Sequence, residues 1–212
     1  SRSPALMCTA WLLVCFMAAC GSEPAATPSA DGQTSAGPGC PKVTIGEPAE
    51  ATASSDLTVS VTVLGDTFDV RGAVVRAASC TANTPCPLVV VVVDRDTNAW
   101  PDYAVPAAQL AGNAKIVVAI FNLPGTGPGG LASKGEQDFG GTYHVTAVKE
   151  VMRVVSAKKI VDNTKIGYVT LGFGLVPTAS ALKLFGGNSL KEVSFLIDVE
   201  GPVDRCSASE SP

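Results

Sequence analysis

Short hydrophobic runs between residues 57 and 199 predict most of the elements of the chain. Residues 57–64 and 67–77 are rich in β-branched side chains and flank the turn signal Gly65-Asp66, which predicts a β-hairpin. Unbroken apolar runs are typical of strands that are buried on both faces. Four such runs predict further strands: residues 88–93, 115–121, 166–171 and 193–199.

Helical periodicity lies between these runs. Four apolar side chains follow an i, i+3, i+4, i+7 pattern with charged residues between them, which predicts an amphipathic helix: Val148, Val151, Met152 and Val155. Residues 177–185 predict a second helix that ends at Gly186-Gly187, and Asp162-Asn163 predicts a turn. Strands separated by helices predict an α/β fold with a mostly parallel sheet behind an N-terminal antiparallel hairpin.

The first twenty residues predict export. Arg2 precedes an apolar run over residues 5–19, which is shorter than the roughly 20 residues of a membrane-spanning helix. The run ends in Met17-Ala18-Ala19-Cys20, which resembles a bacterial lipobox. We therefore expect residues 1–19 to be a signal peptide and Cys20 to carry lipid. Cleavage without lipid, or a short anchor, are the alternatives.

Composition supports three segments and an extracytoplasmic location. Residues 20–41 are rich in Ser, Ala, Gly, Thr and Pro, which predicts a flexible tether before a domain over residues 42–212. The lipid would hold the chain on the cell membrane or outer membrane, facing the periplasm or the exterior. A net charge of −4 without basic runs argues against a nucleic-acid partner.

Four cysteines remain after the signal peptide and the lipidated residue, and an exported protein uses cysteines as disulfides. Cys80 and Cys86 flank a short loop and are natural partners. Cys40 and Cys206 would then join the two ends of the domain. The alternative is that one or both pairs remain as free thiols. No histidine accompanies them at zinc-ligand spacing.

The stretch VDNTKIGYVTLGFGLVPTASA, residues 161–181, has the form of a strand that enters a nucleophile elbow and a helix that leaves it. Together with the order of elements over residues 55–205, it resembles the α/β-hydrolase superfamily. The resemblance implies ester or amide hydrolysis without a cofactor. A full member would continue with about two more strands after residue 205, so we expect a fragment or a trimmed domain that lacks the last strands.

The elbow of that family is G-x-S-x-G. The matching residues here are Thr170-Leu171-Gly172-Phe173-Gly174, so Gly172 stands where the nucleophile belongs and carries no hydroxyl. Thr170 lies at the strand end rather than at the apex, which argues against it as a substitute. We expect a tight turn without nucleophilic chemistry.

The other family positions also depart from the pattern. The loop that would form the oxyanion hole begins with Asp94 and contains Asp96, and carboxylates do not stabilise an oxyanion. The only histidine, His144, precedes the elbow in the chain, so we expect a surface or helix-start role. Asp198 and Glu200 end the strand after the elbow and are candidate triad acids by position alone.

Two motifs admit a ligand interpretation. The alternate spacing of four residues resembles a calcium loop, but Ala99 and Val105 replace its glycine and glutamate, which favours a polar loop before a helix: Asp94, Asp96, Asn98 and Asp102. The glycines of residues 125–130 fit G-x-G-x-x-G. Pro128 argues against the helix that a dinucleotide site needs, and favours a glycine-rich turn.

Three functions are consistent with these residues. The first is an exported lipoprotein related to ester- or amide-hydrolysing α/β-hydrolases, degenerate at its elbow and inactive. The second is a non-catalytic surface or periplasmic protein that uses the fold for binding a small molecule or a protein. The third is a structural module that calcium stabilises around Asp94 and Asp102. We expect no bound cofactor in any of the three.

Overall fold

A computed structural model describes residues 47–94, 97–188, 190 and 192–201. Strands and helices alternate after an initial hairpin, in the order β1 (Thr52–Val63), β2 (Asp66–Ala77), β3 (Cys86–Val92), α1 (Ala99–Asp102), α2 (Ala104–Ala114), β4 (Val117–Phe121), α3 (Thr142–Ser156), β5 (Val161–Leu171), α4 (Leu175–Phe185) and β6 (Val193–Val199). Two single 3₁₀ turns lie at Gly129–Leu131 and Gly172–Gly174.

The described strands form one sheet in the order β1-β2-β4-β3-β5-β6. β1 pairs antiparallel with β2, and β2 pairs antiparallel with β4. The pairs β3–β4, β3–β5 and β5–β6 are parallel. The predicted fold class is therefore confirmed: a mostly parallel α/β sheet follows an N-terminal antiparallel hairpin.

The centre of the core lies where the sequence predicts it, but the prediction that residues 193–199 are buried on both faces is wrong, because half-buried and exposed residues alternate along the edge strand β6 up to Val199. β3 and β4 are buried on both faces, because helices cover both sides of the central strands. The apolar face of α3 packs against the sheet, with Val148, Val151 and Val155 fully buried. Tyr168 of β5 is also fully buried, and its hydroxyl donates to the Val148 carbonyl oxygen at 3.3 Å.

Two element boundaries differ from the prediction. β1 begins at Thr52 rather than at residue 57, because β2 pairs with it along its whole length. The predicted turn at Asp162-Asn163 lies inside β5. Between the pairs Cys86–Val161 and Leu88–Ile166, β3 advances by two residues and β5 by five, so the extra residues of β5 bulge outward. The Asp162 carboxylate accepts bonds from the Thr164 backbone N–H and hydroxyl, which is the local bonding that made the sequence resemble a turn.

No periodic pattern in the sequence predicts α2. Its sequence, AVPAAQLAGNA, contains few large apolar side chains and gives a weak periodic signal. The small residues allow close packing instead: a Cβ atom on Gly112 would lie 2.5 Å from the Glu50 carbonyl oxygen. The predicted polar loop before a helix is consistent with the position of α1 and α2 directly after residue 98.

Cys80 and Cys86 form a disulfide, with their Cα atoms 5.4 Å apart, as the sequence predicts. Cys40, Cys206, the predicted signal peptide, Cys20 and the tether lie outside the described residues. Within the described part of the chain, no helix combines the length and apolar character needed to cross a membrane.

Candidate functional site

The ends of β3 and β5 define the candidate site. These strands are neighbours, but the chain leaves β3 toward β4 on one side and leaves β5 toward β6 on the other. Such a change of direction opens a crevice beyond the carboxyl ends of the strands, where open α/β sheets bind their ligands. Asp94 follows β3 and Gly172 follows β5, so both residues lie at this point.

A tight turn joins β5 to α4, as the elbow pattern predicts. Gly172 has a φ of 54°, in the left-handed region that favours glycine. Gly174, two residues further along, allows the turn to pack closely on β3: a Cβ atom on it would lie 2.2 Å from the Val92 carbonyl oxygen. The turn therefore keeps the shape of an elbow although its apex carries no side chain.

The side chain of Asp94 lies above this apex. A Cβ atom on Gly172 would be 2.6 Å from Asp94 Oδ2, which is closer than atoms that are not bonded can approach. The carboxylate of the β3 loop therefore occupies the space in which a nucleophile at position 172 would begin. The sequence could not reveal this contact, because it joins two loops that are distant along the chain.

Thr170 does not face the crevice as a free hydroxyl. It is fully buried, and its Oγ1 donates to Asp198 Oδ1 at 2.7 Å. The two residues are register partners on β5 and β6. This hydrogen bond joins neighbouring strands, so the candidate acid Asp198 is paired with a threonine hydroxyl. Glu200 follows with a φ of 59° and is exposed.

His144 is fully buried in the first turn of α3, so the expected surface position is wrong and the helix-start position is right. Its Nδ1 accepts a hydrogen bond from the Gly140 backbone N–H at 3.2 Å. Its Nε2 then carries the proton and donates to the Pro124 carbonyl oxygen at 3.1 Å. Both ring nitrogens are thus occupied by backbone groups, and the imidazole connects the loop after β4 to the start of α3.

The lowered pKa of His144 predicts that the folded chain loses stability in acid. Burial lowers the pKa of His144 below its ordinary 6.5, although the Asp138 carboxylate, 3.8 Å from Nδ1, and the Pro124 carbonyl oppose the shift. The unfolded chain therefore takes up this proton at a higher pH than the folded chain. Stability from this group is full above about pH 6.5 and is lost as the pH falls below it.

We therefore expect the free energy of unfolding, measured with urea, to fall between pH 7 and pH 5 in the wild type. His144→Gln, whose amide does not titrate, should be less stable at pH 7 but should change less over this interval. The carboxylates away from residue 144 contribute equally to both proteins, so the difference between the two slopes measures His144 together with its contact with Asp138. Equal slopes would contradict the prediction.

Three of the four residues of the calcium-like motif lie within the described part of the chain. Asp96 lies outside the described residues, whereas Asp94, Asn98 and Asp102 lie within them. The described part of the chain contains no group of three or more His, Cys, Asp or Glu side chains that could hold a metal ion. Because one proposed ligand is missing from this comparison, calcium binding stays a prediction.

The glycine-rich loop does not open a helix. Gly125, Gly127 and Gly129 have positive φ values, and a single 3₁₀ turn follows before α3 begins at Thr142. A dinucleotide fingerprint needs a helix that starts within the motif. The loop is therefore the glycine-rich turn that the sequence favours.

Asn122 is a site residue that the sequence analysis missed. It is fully buried directly after β4, and its Oδ1 accepts from the Trp100 backbone N–H at 3.0 Å. Its Nδ2 donates to the carbonyl oxygens of Trp100 and Leu131 at 3.0 and 2.9 Å. The amide thus fixes the loops around the crevice. A single polar residue at the end of a buried apolar run was the available signal.

Comparisons with known proteins identify solved structures with a similar fold. No family model and no curated protein matches the chain. Solved structures do match. A dienelactone hydrolase-like promiscuous phosphotriesterase from metagenomic libraries has a TM-score of 0.50 at 14% identity, over 70% of this chain and 60% of that chain.

Two further structures agree. The α/β-hydrolase GrgF from Penicillium sp. sh18 has a TM-score of 0.54 at 19% identity, over 72% of this chain and 47% of that chain. An esterase from Pyrococcus furiosus has a TM-score of 0.52 at 15% identity, over 71% and 50%. The chain spans 60% or less of the length of all three proteins. The likeness to these three structures shows that this chain has the α/β-hydrolase fold.

Proposed function

We propose that this chain is an exported, lipid-anchored relative of ester- and amide-hydrolysing α/β-hydrolases that does not hydrolyse by the serine mechanism. One observation carries the proposal: the elbow is built as a tight turn, but Gly172 forms its apex and the Asp94 carboxylate fills the space above it. The fold of the hydrolases is thus present, and a nucleophile is absent at the position where that fold presents one.

The remaining groups support the same conclusion. A serine mechanism needs an imidazole base near the nucleophile. The sequence contains one histidine, and both nitrogens of its ring bond to backbone groups. A carboxylate beside the apex would also repel the oxyanion that forms during acyl transfer. Thr170 is buried and bonded to Asp198, so it offers no exposed alternative.

We therefore expect no reaction of the purified chain with a fluorophosphonate probe, which labels activated serines. Gly172→Ser should also fail, because the new side chain meets Asp94 and has no base. The double variant Gly172→Ser with Asp94→Ala removes the steric conflict, so that the absence of a general base is the remaining obstacle to labelling. It should remain unlabelled as well, since restoring one part of a triad restores little.

An active serine hydrolase labelled in parallel controls for the probe. Stoichiometric labelling of the wild type would overturn the proposal and would identify another serine as the nucleophile. Strong labelling of the double variant alone would show that the crevice holds a working base, so that only the nucleophile had been lost.

Lipidation of Cys20 has its own test. Cells supplied with a fatty-acid analogue should label the wild type, and Cys20→Ala should lose the label, because a lipobox is modified at its cysteine. Cys15→Ala is a matched control, since that residue lies in the predicted signal peptide and its loss should leave the label unchanged. Equal labelling of the wild type and Cys20→Ala would refute lipidation at this position.

Non-catalytic binding is the second candidate, and the character of the crevice favours it. Burial raises the pKa of Tyr103, and the charges of Asp94 and Asp102 raise it further, so the phenol stays a neutral donor beside carboxylates. Such a crevice favours a cationic ligand that also accepts or donates hydrogen bonds. A thermal-shift screen with organic amines should then give hits that Asp94→Asn loses; a screen without hits would reject this candidate.

A further inference from the structure

Among the described strands, the twelve-residue strand β1 lies at the edge of the sheet. β2 is its only neighbour among the described strands, with an unbroken register from Thr52–Ala77 to Val63–Asp66. Natural proteins protect such edges with lysine, proline, bulges or short strands. β1 has none of these devices, and Asp56 is its single charged residue.

The hairpin turn determines which backbone groups point outward. Leu64 and Gly65 both have positive φ values, 52° and 94°, as in a two-residue type I′ turn. Val63 and Asp66, which flank such a turn, exchange hydrogen bonds, and bonded pairs then alternate along the hairpin. The N–H and C=O groups of every second residue therefore face the open edge: Thr52, Ser54, Asp56, Thr58, Ser60 and Thr62.

The side chains leave this row of backbone groups accessible. The Thr62 and Thr67 hydroxyls are 3.0 Å apart across the hairpin, and Arg71 donates to Thr58 Oγ1 at 2.9 Å. These side chains thus lean over β2 rather than over the edge. On the other face, Val59 and Val61 are buried under α3.

We propose that β1 pairs antiparallel with β1 of a second copy of this chain, with the two-fold axis at Thr58. This register places outward-facing groups opposite outward-facing groups, because Ser60 meets Asp56 of the second copy and Thr62 meets Ser54. Five such pairs, with two hydrogen bonds each, join the two sheets.

Charge selects this register over its neighbour. A two-fold axis at residue 57 would form six such pairs by including Thr52, but it would bring the two Asp56 carboxylates into diagonal positions, about 7–8 Å apart in an antiparallel pair, where like charges repel. With the axis at Thr58, the two Asp56 residues lie two positions further apart along the strands, and each faces Ser60 of the other copy. It also keeps Leu57 opposite Val59 of the second copy on the apolar face.

Cysteine cross-linking tests the register in the mature full-length chain. Thr58→Cys places two cysteines opposite each other at the axis, about 5.5 Å apart at Cα, which a disulfide can span. Most of this variant should migrate as a dimer on a non-reducing gel. Thr62→Cys and Ser54→Cys alone should stay at the wild-type background, whereas the variant that carries both should cross-link. Cross-linking of Thr58→Cys no stronger than that of Thr62→Cys would overturn the proposal.

Ser60→Pro provides a second measurement that leaves the fold intact. The substitution removes the backbone N–H of residue 60, which faces the open edge and makes no hydrogen bond to β2. Proline is tolerated on the solvent side of an edge strand. In detergent, sedimentation should show a dimeric wild type and a monomeric variant with an unchanged circular dichroism melt. A monomeric wild type would overturn the proposal, and slow amide exchange along β1 in that monomer would show that another segment of the chain covers the edge.

Discussion

Gly174→Ala is expected to lower the free energy of unfolding by about 3 kcal/mol, the upper end of the usual range for overpacking a core. The added methyl group would lie 2.2 Å from the Val92 carbonyl oxygen and 2.7 Å from the Val92 carbonyl carbon. These are backbone atoms of β3, which is paired with β4 on one side and β5 on the other, so they cannot move aside. Urea unfolding followed by circular dichroism measures the loss.

Gly187→Ala is the matched control, because the same methyl group there meets no atom within 4 Å. It should change stability by no more than about 0.5 kcal/mol. Gly174 has an ordinary helical φ of −55°, so backbone strain does not contribute to its expected loss. Wild-type stability of Gly174→Ala would mean that the elbow does not pack against β3 as the structure describes.

The elbow could be predicted from sequence because its requirements are local. A buried apolar run must end in a turn, and only small residues fit between that turn and the neighbouring strand. Gly172 and Gly174 satisfy both needs, and the structure has the turn at these positions. The hairpin was equally accessible, since Gly65 and the alternating residues before it are a short-range signal.

The position of Asp94 could not be predicted in this way. Its contact with Gly172 depends on β3 and β5 being neighbours, and strand order is not encoded in the periodicity of either strand. The sequence identified Asp94 as unsuited to an oxyanion hole, but not as the group that fills the apex of the elbow. Non-local contacts of this kind require the sheet topology.

The burial of His144 has a signal in the sequence. His144 precedes Val148 by four residues, so it continues the apolar stripe of α3 toward the N-terminus. A polar side chain on that stripe has to find hydrogen-bond partners within the core. The Pro124 carbonyl and the Gly140 N–H provide them.

The structure also explains how the elbow is held without a side chain at its apex. The contacts that hold the elbow include the close approach of Gly174 to the backbone of β3, a hydrogen bond from the Thr178 hydroxyl to the Gly174 carbonyl oxygen, and a hydrogen bond from Thr170 to Asp198. None of them involves a side chain at the apex. The turn therefore needs no side chain at position 172, and the Asp94 carboxylate lies beside the apex. A shared fold is consequently weak evidence for shared chemistry.

The side chain that anchors the elbow strand should be the most sensitive in the core. Tyr168 lies in β5, is fully buried, and donates its hydroxyl to the Val148 carbonyl oxygen of α3 at 3.3 Å. Burial raises the pKa of this hydroxyl, which therefore remains a protonated donor.

Tyr168→Ala is expected to lower the free energy of unfolding by about 3–5 kcal/mol, because it leaves a cavity of aromatic size between β5 and α3. Tyr168→Phe is the matched variant: it keeps the ring, removes only the hydroxyl, and should lose about 1 kcal/mol. Urea unfolding of the three proteins at one pH gives both differences. Losses of similar size in the two variants would show that the hydrogen bond, rather than the packing of the ring, holds β5 to α3.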